Sequence, residues 1–306
     1  MSKSEDVSHR WEPIKDVPED HAKLANIELP TLLDVWLEQK ADLETRDAVK
    51  DFNEQLLRHW AIETGLIERL YVLDRGVTQL LVERGLHASL IAHDSANGDP
   101  DRVIALIRDQ HRAVEGLFDF VASRRELGTS YIKQLHATIT ASQETTTAVN
   151  ALGQQLTIPL RRGDYKQRPN NPTTADGSIH EYCPPEQVAS EMDRLIAMHL
   201  DHEAKKVASE VQAAWLHHRF AQIHPFEDGN GRVARALATL VLLRAEWLPL
   251  VVTNDHRGVY LDALNAADRG NLAPLVDLFA KIEKEAFLQA LSVARASSSN
   301  IGAWTM

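Results

Sequence analysis

"IHPFEDGNGRVAR", residues 223–235, sets a histidine, two carboxylates, two glycines around an asparagine and two arginines side by side. Gly229-Asn230-Gly231 is a flexible turn, and helix-forming "RVARALATLVLL" follows at once. Such a turn offers unpaired N–H groups at the positive end of a helix dipole, a ready site for an anion such as phosphate. Arg232 and Arg235 are three apart, so on that helix they share a face and can fork onto neighbouring phosphate oxygens. Asp228, just before the turn, is a hard oxygen ligand for Mg²⁺. His224 ends the preceding helix; its unperturbed pKa of about 6.5 suits it to accept a hydroxyl proton near neutral pH. Phe226 can turn inward and pin the loop. An isolated DGNG is usually a plain surface turn between helices. The whole string holds more than that: a base, a metal ligand, a phosphate cradle and a charge clamp, the parts of a nucleotide-dependent transfer to a hydroxyl.

Outward from this string, most of the chain has helical periodicity. "DFNEQLLRHWAIETGLIERLYVL" places Leu56, Trp60, Ile67 and Leu70 on one side. "DPDRVIALIRDQHRAVEGLFDFVASRREL" opens on an Asp-Pro-Asp start signal and repeats apolar residues at Val103, Ile104, Ile107, Val114, Leu117 and Phe118. Leu237 to Val252 is apolar but interrupted by Arg244 and Glu246 and broken at Pro249, so it predicts a buried helix and a short extended piece, with no membrane span. The exception to the helical pattern is Leu156 to Pro184. There Pro159, Gly163, Pro169, Asn170, Asn171, Pro172, Asp176 and Gly177 punctuate short segments, predicting a β-hairpin or structured loop on a helical body. A soft boundary at 92–101 divides the chain into an N-terminal helical region, 1–99, a core, 100–295, and a flexible tail, 296–306.

Of the 306 residues 44% are hydrophobic and 25% charged, enough for a substantial soluble core. The net charge of -11 argues against broad binding to nucleic acid or an anionic membrane, so any phosphate site is local. A single cysteine, Cys183, excludes an internal disulfide and a cysteine-rich metal site; with no apolar leader segment, a cytoplasmic location is expected. Cys183 itself is expected to pack at a strand end. His199 and His202 lack a zincin spacing, and His217 and His218 are expected to be surface or packing residues.

His224, Pro225, Phe226, Asp228, Gly229, Asn230, Gly231, Arg232 and Arg235 match the H-x-F-x-[D/E]-G-N-G-R-x-x-R signature, and in this the chain resembles Fic-domain proteins. The resemblance implies an all-α, Fic-type helical bundle with a small β-hairpin flap. It implies transfer of AMP from Mg-ATP to a Ser, Thr or Tyr hydroxyl of a target protein. His224 is then the base, Asp228 the Mg²⁺ ligand, Gly229, Asn230 and Gly231 the phosphate-binding turn, and Arg232 and Arg235 the clamp on the β- and γ-phosphates. Residues 160–183 resemble the flap that aligns the target by strand addition. "GVYLDALNAADRGNLAPL", 258–275, resembles the family's segment after the motif helices, which makes Tyr260 and Asn265 candidates for contacting the nucleotide base. Thr64-Gly65-Leu66-Ile67-Glu68-Arg69 resembles the family's inhibitory helix, [S/T]-x-x-x-E-[G/N], with Arg69 in place of Gly or Asn; Thr64 and Glu68 stay in register, which implies self-inhibition through Arg235. The same resemblance admits AMP removal or transfer of another phosphate-containing group, and a non-enzymatic, peptide-binding regulator is the rival from a different class. Oligomeric state is left open.

Overall fold

The computed structural model describes residues 7–41, 47–92, 97–149, 154–174 and 176–299. In chain order the elements are β1 (Val7–His9), α1 (Leu29–Ala41), α2 (Asp47–Ile67), α3 (Arg75–Arg84), α4 (Pro100–Ala122) and α5 (Thr129–Ile139). Three short strands follow, β2 (Thr145–Val149), β3 (Gln155–Pro159) and β4 (Ile179–His180). The chain then returns to helix in α6 (Val188–Ala204), α7 (Ser209–Ile223), α8 (Asn230–Arg244), α9 (Arg257–Asp268) and α10 (Ala273–Ser299). The fold is all-α with a small β component, as expected. The final helix continues to Ser299, so 296–299 extend it rather than begin a tail; residues 300–306, and 93–96 of the soft boundary, lie outside the described residues.

α8 is the centre of the bundle. Val233, Ala234, Ala236, Leu237, Ala238, Leu240 and Leu242 are all fully buried, so the helix is enclosed on every side. α7 packs along it, with α4 and α5 also against it. α4 starts as its sequence predicts: Asp99 is the N-cap, its carboxylate accepting from the Asp101 N–H, and Pro100 takes the first turn. Its core face is Val103, Ile104, Ile107, Val114 and Leu117, while Phe118 points outward and is exposed. After α8, Trp247 to Val252 is buried without being helical, the extended piece that Pro249 predicts.

α2 from the N-terminal region packs on α4 and α8 within the same apolar core. Three polar tethers fix its C-terminal half. The Trp60 indole N–H donates to Thr239 Oγ1 of α8 at 3.0 Å. Glu63 accepts the Asn254 N–H at 2.6 Å, and the Arg257 Nε–H caps the Ile67 carbonyl at 3.1 Å. The helix stops earlier than its periodicity predicts. The Leu70 N–H bonds the Gly65 carbonyl and the Arg69 N–H bonds the Leu66 carbonyl, closing a helix-end motif whose turning residue, Arg69, is left-handed at φ 56°. Glu68 thus lies just past the last turn of α2.

The β component differs from the expectation. The antiparallel hairpin is β2–β3, Thr145 pairing with Pro159 through to Val149 with Gln155, and it precedes the 160–183 stretch expected to be the flap. β-Branched residues, dense in "TTTAV" and present in "QLTIP", favour these strands. Among the described residues of 160–183 there is only β4, which meets Thr173 in an antiparallel bridge and pairs in parallel with β1.

A left-handed conformation costs a non-glycine residue about 1–2 kcal/mol. Arg69→Gly is therefore expected to raise unfolding free energy by about 1 kcal/mol in urea titration; a less stable variant would contradict the strained turn.

Candidate active site

The motif sits between α7 and α8. His224 is the left-handed C-cap of α7 at φ 51°, and Gly229, at φ 80°, is the left-handed residue from which α8 starts. Phe226 is fully buried and stacks on His136 of α5 at 3.8 Å, 10° between planes, so the loop is pinned inward as expected. The Asn230 side chain closes the loop on itself, accepting the Phe226 N–H at 2.9 Å and donating to the Phe226 carbonyl at 2.8 Å. His136, fully buried, donates from Nε2 to the Asp228 carbonyl at 2.9 Å and accepts the Gly163 N–H at Nδ1 at 2.8 Å. Burial, with the nearby Arg232 charge, pushes its pKa down to about 4, so it works as a neutral brace.

Asp228 faces the start of α8. Its carboxylate accepts from the Gly229 N–H at 2.6 Å, Gln143 Nε2 at 2.6 Å and Thr146 Oγ1 at 3.3 Å, and lies 3.5 Å from Arg232 Nη2. Burial opposes its charge, but Arg232 and these donors outweigh burial and hold its pKa below the ordinary value. A charged, partly accessible carboxylate beside the helix N-terminus fits Mg²⁺, which is held by one or two carboxylates together with phosphate oxygens.

Arg232 and Arg235 are 0% and 1% exposed. Arg232 Nη2 donates to Gln143 Oε1 at 2.7 Å, while its Nε and Nη1 have no hydrogen-bond partner among the described residues. Arg235 Nη2 meets the Glu68 carboxylate at 2.8 Å and the Thr64 carbonyl at 2.9 Å, and its buried Nε is unpartnered. Glu68 lies directly over the turn: a Cβ placed on Gly231 would come 2.3 Å from Glu68 Oε1. Glu68 and Arg235, 167 positions apart, are joined as the inhibitory pattern implies. Thr64 takes part through its backbone rather than its hydroxyl. Unpartnered guanidinium nitrogens at a glycine turn are an anion site, and Glu68 is the anion of this state.

Around His224 lies machinery that sequence reading missed. Lys166 Nζ donates to Asn170 Oδ1 at 2.8 Å, which turns the Asn170 amide nitrogen onto His224 Nδ1, also at 2.8 Å, and onto the Phe226 carbonyl at 2.8 Å. Tyr182 stacks flat on the imidazole at 3.8 Å, 8° between planes. Burial, then the Lys166 ammonium, pushes the His224 pKa down to about 3. The ring is neutral at physiological pH, with its lone pair at Nδ1 toward Asn170.

Tyr260 and Asn265 separate. Tyr260 is 2% exposed; its hydroxyl donates to His217 Nε2 at 2.7 Å and accepts from Arg235 Nη1 at 3.4 Å, so it braces the arginine from below and is too deep to meet a nucleotide base. Asn265 is exposed and lines a hollow of about 190 Å³ with His180, Tyr182, His218 and Asp268 beside the motif. His217 and His218 are packing residues, both buried. Cys183 is buried, which pushes its thiol up to about 12 and leaves it packed and unreactive.

The site is a glycine turn at the N-terminus of a buried helix, with two buried arginines and an adjacent neutral histidine. Residues 126–242 match the Fic/DOC family, and the chain contains a Fic domain. It is 30% identical over 117 residues to protein adenylyltransferase fic-1 of Caenorhabditis elegans, covering 38% of this chain and 23% of that protein. It is 41% identical over 68 residues to protein adenylyltransferase Fic of Aedes aegypti, covering 22% and 14%. The matched region is thus a quarter or less of these relatives' own length. The fold is similar to that of a Fic-domain-containing signaling protein from Bacteroides thetaiotaomicron, with a TM-score of 0.68 at 23% identity over 87% of this chain and 97% of that one.

His136 and His199 are fully buried with pKa values lowered to about 4 and about 3. An unfolded histidine takes up its proton near 6.5 while these two stay neutral, so their contribution is complete above pH 6.5 and is lost as pH falls toward the folded values. Urea-derived stability is expected to fall between pH 6.5 and 5, by up to about 1.4 kcal/mol per pH unit for each histidine, and less steeply in His136→Gln. A flat profile over that window would contradict the assignment.

Proposed function

We propose that the protein is a Fic-type adenylyltransferase that moves AMP from Mg-ATP to a Ser, Thr or Tyr hydroxyl of a target protein, and that it is held back by Glu68. The observation that carries the reading is the pair of buried guanidinium groups, Arg232 and Arg235, with unpartnered nitrogens at the N-terminus of α8, next to a neutral histidine. The adenylyltransferase relatives named above are in keeping with it.

In this reading the amides of the 229–231 turn and the two guanidinium groups hold the β- and γ-phosphates. Asp228 is the protein ligand for Mg²⁺, which when bound offsets the negative charge that builds on the phosphates. His224 accepts the proton of the incoming hydroxyl as it attacks the α-phosphorus and pyrophosphate leaves toward the arginines. Its Nδ1 lone pair is engaged by Asn170, so that amide must yield, or the ring proton must leave Nε2, before the ring can act; Lys166 and Asn170 therefore hold the base in a resting tautomer. With Glu68 on Arg235 the γ-phosphate has no clamp. The acceptor segment is proposed to run between two pieces that flank the motif, the β2–β3 hairpin, which touches Asp228 through Thr146, and the 170–182 stretch, which covers His224 through Tyr182. Asn265, which lines the hollow beside Tyr182, would meet the base. No helix among the described residues is long and apolar enough to cross a membrane, and one cysteine fits a reducing compartment, so a cytoplasmic location is proposed.

The test uses ATP labelled at the α-phosphate in one sample and at the γ-phosphate in another, with Glu68→Gly as the parent chain and a cell lysate as acceptor. Protein-bound label is expected from the α-position alone. Adding His224→Ala should cut transfer by about 10²–10⁴-fold while ATP affinity stays within about twofold, because the base acts on the hydroxyl and not on the triphosphate. Label from the γ-position, or full transfer without His224, would overturn the reading.

A further inference from the structure

Outside the motif, a second cluster of chemistry-bearing side chains joins three separate elements. β1 runs parallel to β4 with His9 and His180 as register partners, and their imidazoles stack at 4.5 Å, 18° between planes. Asp268, the last residue of α9, completes the group: one ligand atom from each of the three residues lies within 4.8 Å of the others. The Asp268 carboxylate is oriented from behind by His218 Nε2 at 2.9 Å, the kind of outer hydrogen bond that fixes a ligating carboxylate. His9 Nε2 is shielded from solvent and has no hydrogen-bond partner among the described residues, so one nitrogen of this ligand residue is left without anything to bind it. The cluster opens to solvent through a hollow of about 310 Å³ lined by Ser8, His9, Arg10 and Asp268, which supplies an entry path.

We propose that His9, His180 and Asp268 form a binding site for a divalent transition-metal ion, with Zn²⁺ as the best match, that clamps the N-terminal strand β1 onto β4. Two imidazoles and a carboxylate are a preferred Zn²⁺ donor set, and bonds of about 2.0–2.2 Å place tetrahedral donors roughly 3.3 Å apart. The three ligand atoms, now within 4.8 Å of one another, would have to draw closer to reach that spacing. A fourth position is left for water. The Mg²⁺ expected at Asp228 is a different site in kind, since hard oxygen donors hold it and no imidazole takes part. An ion here has a structural consequence close to the motif: His180 packs on Tyr182, ring centroids 4.8 Å apart, and Tyr182 is the ring that covers His224. The inference needs only the three ligands and stands whether or not the transferase reading holds.

Calorimetric titration of the full chain with ZnCl₂ tests it, with thermal unfolding alongside. One saturable equivalent per chain is expected, with a rise in melting temperature because the ion binds the folded state. His9→Ala lies at the edge of the fold and is not expected to disturb the core; that variant and Asp268→Asn should each lose that equivalent or weaken it at least tenfold, and lose the thermal shift. His59→Ala, a histidine on α2 away from the cluster, should keep both. CoCl₂ in place of ZnCl₂ should give a visible absorption band in the parent that is missing in His9→Ala. The proposal is overturned if the parent binds no Zn²⁺ saturably, or if His9→Ala and Asp268→Asn bind it as the parent does.

Discussion

Two guanidinium groups with almost no exposure, Arg232 and Arg235, occupy the first turns of the central helix, and a buried charge is tolerated only when it is paired and hydrogen-bonded. The residues about them are arranged to meet that demand. Gln143 bridges Arg232 and Asp228; Glu68, the Thr64 carbonyl and Tyr260 share Arg235. The helix N-terminus adds positive potential of its own, so the site favours whichever anion can reach it. In this state the anion is a carboxylate from the chain itself. A triphosphate carries more charge and more acceptor oxygens, and both cannot hold Arg235 at once.

Glu68 is placed for Arg235 by the packing of its own helix. Trp60, Glu63 and the Ile67 carbonyl tie the end of α2 to α8, to Asn254 and to Arg257, so little conformational entropy is left to lose when the carboxylate meets its arginine. Arg69 makes the chain turn at once after Glu68 at the cost of a left-handed residue, where the family pattern carries Gly or Asn, residues that accept this conformation readily. The same logic runs on the other side of the motif. Lys166 orients Asn170, Asn170 holds His224, and Tyr182 lies flat over the ring, so His224 and Arg235 are both engaged by the protein's own groups.

The parts that were legible in the sequence are those whose chemistry is written in contiguous or fixed-period residues. His224 to Arg235 is one unbroken string, and Thr64 and Glu68 keep a helical spacing of four, so both could be found although 167 positions separate Glu68 from Arg235. The helical body followed from periodicity and from the Asp99-Pro100 start. What could not be read was set by tertiary contact. Gln143, Lys166, Asn170 and Tyr182 lie in irregular segments 42 to 81 positions before His224, and His136 sits on α5 looking like any buried helical histidine. Tyr260 is a base-contact candidate from its place in the segment after the motif, yet burial turns its hydroxyl to His217 and Arg235. The hairpin is expected where Pro and Gly are densest, whereas the strands form just upstream, in 145–149 and 155–159, where Thr, Val and Ile are enriched. That β-branched signal was present in 145–159 and was outweighed by the turn residues after it.

The central claim is that Glu68 and the terminal phosphate of ATP exclude one another at Arg235. Titrating ATP and AMP, each with Mg²⁺, into the parent chain and Glu68→Gly separates this from a general loosening of the fold. If removing the carboxylate relieves about 1–3 kcal/mol of competition, ATP should bind roughly 5- to 150-fold more tightly while AMP, which has no phosphate to reach Arg235, stays within about twofold. Equal gains for ATP and AMP, or no gain for ATP in a folded variant, would contradict it.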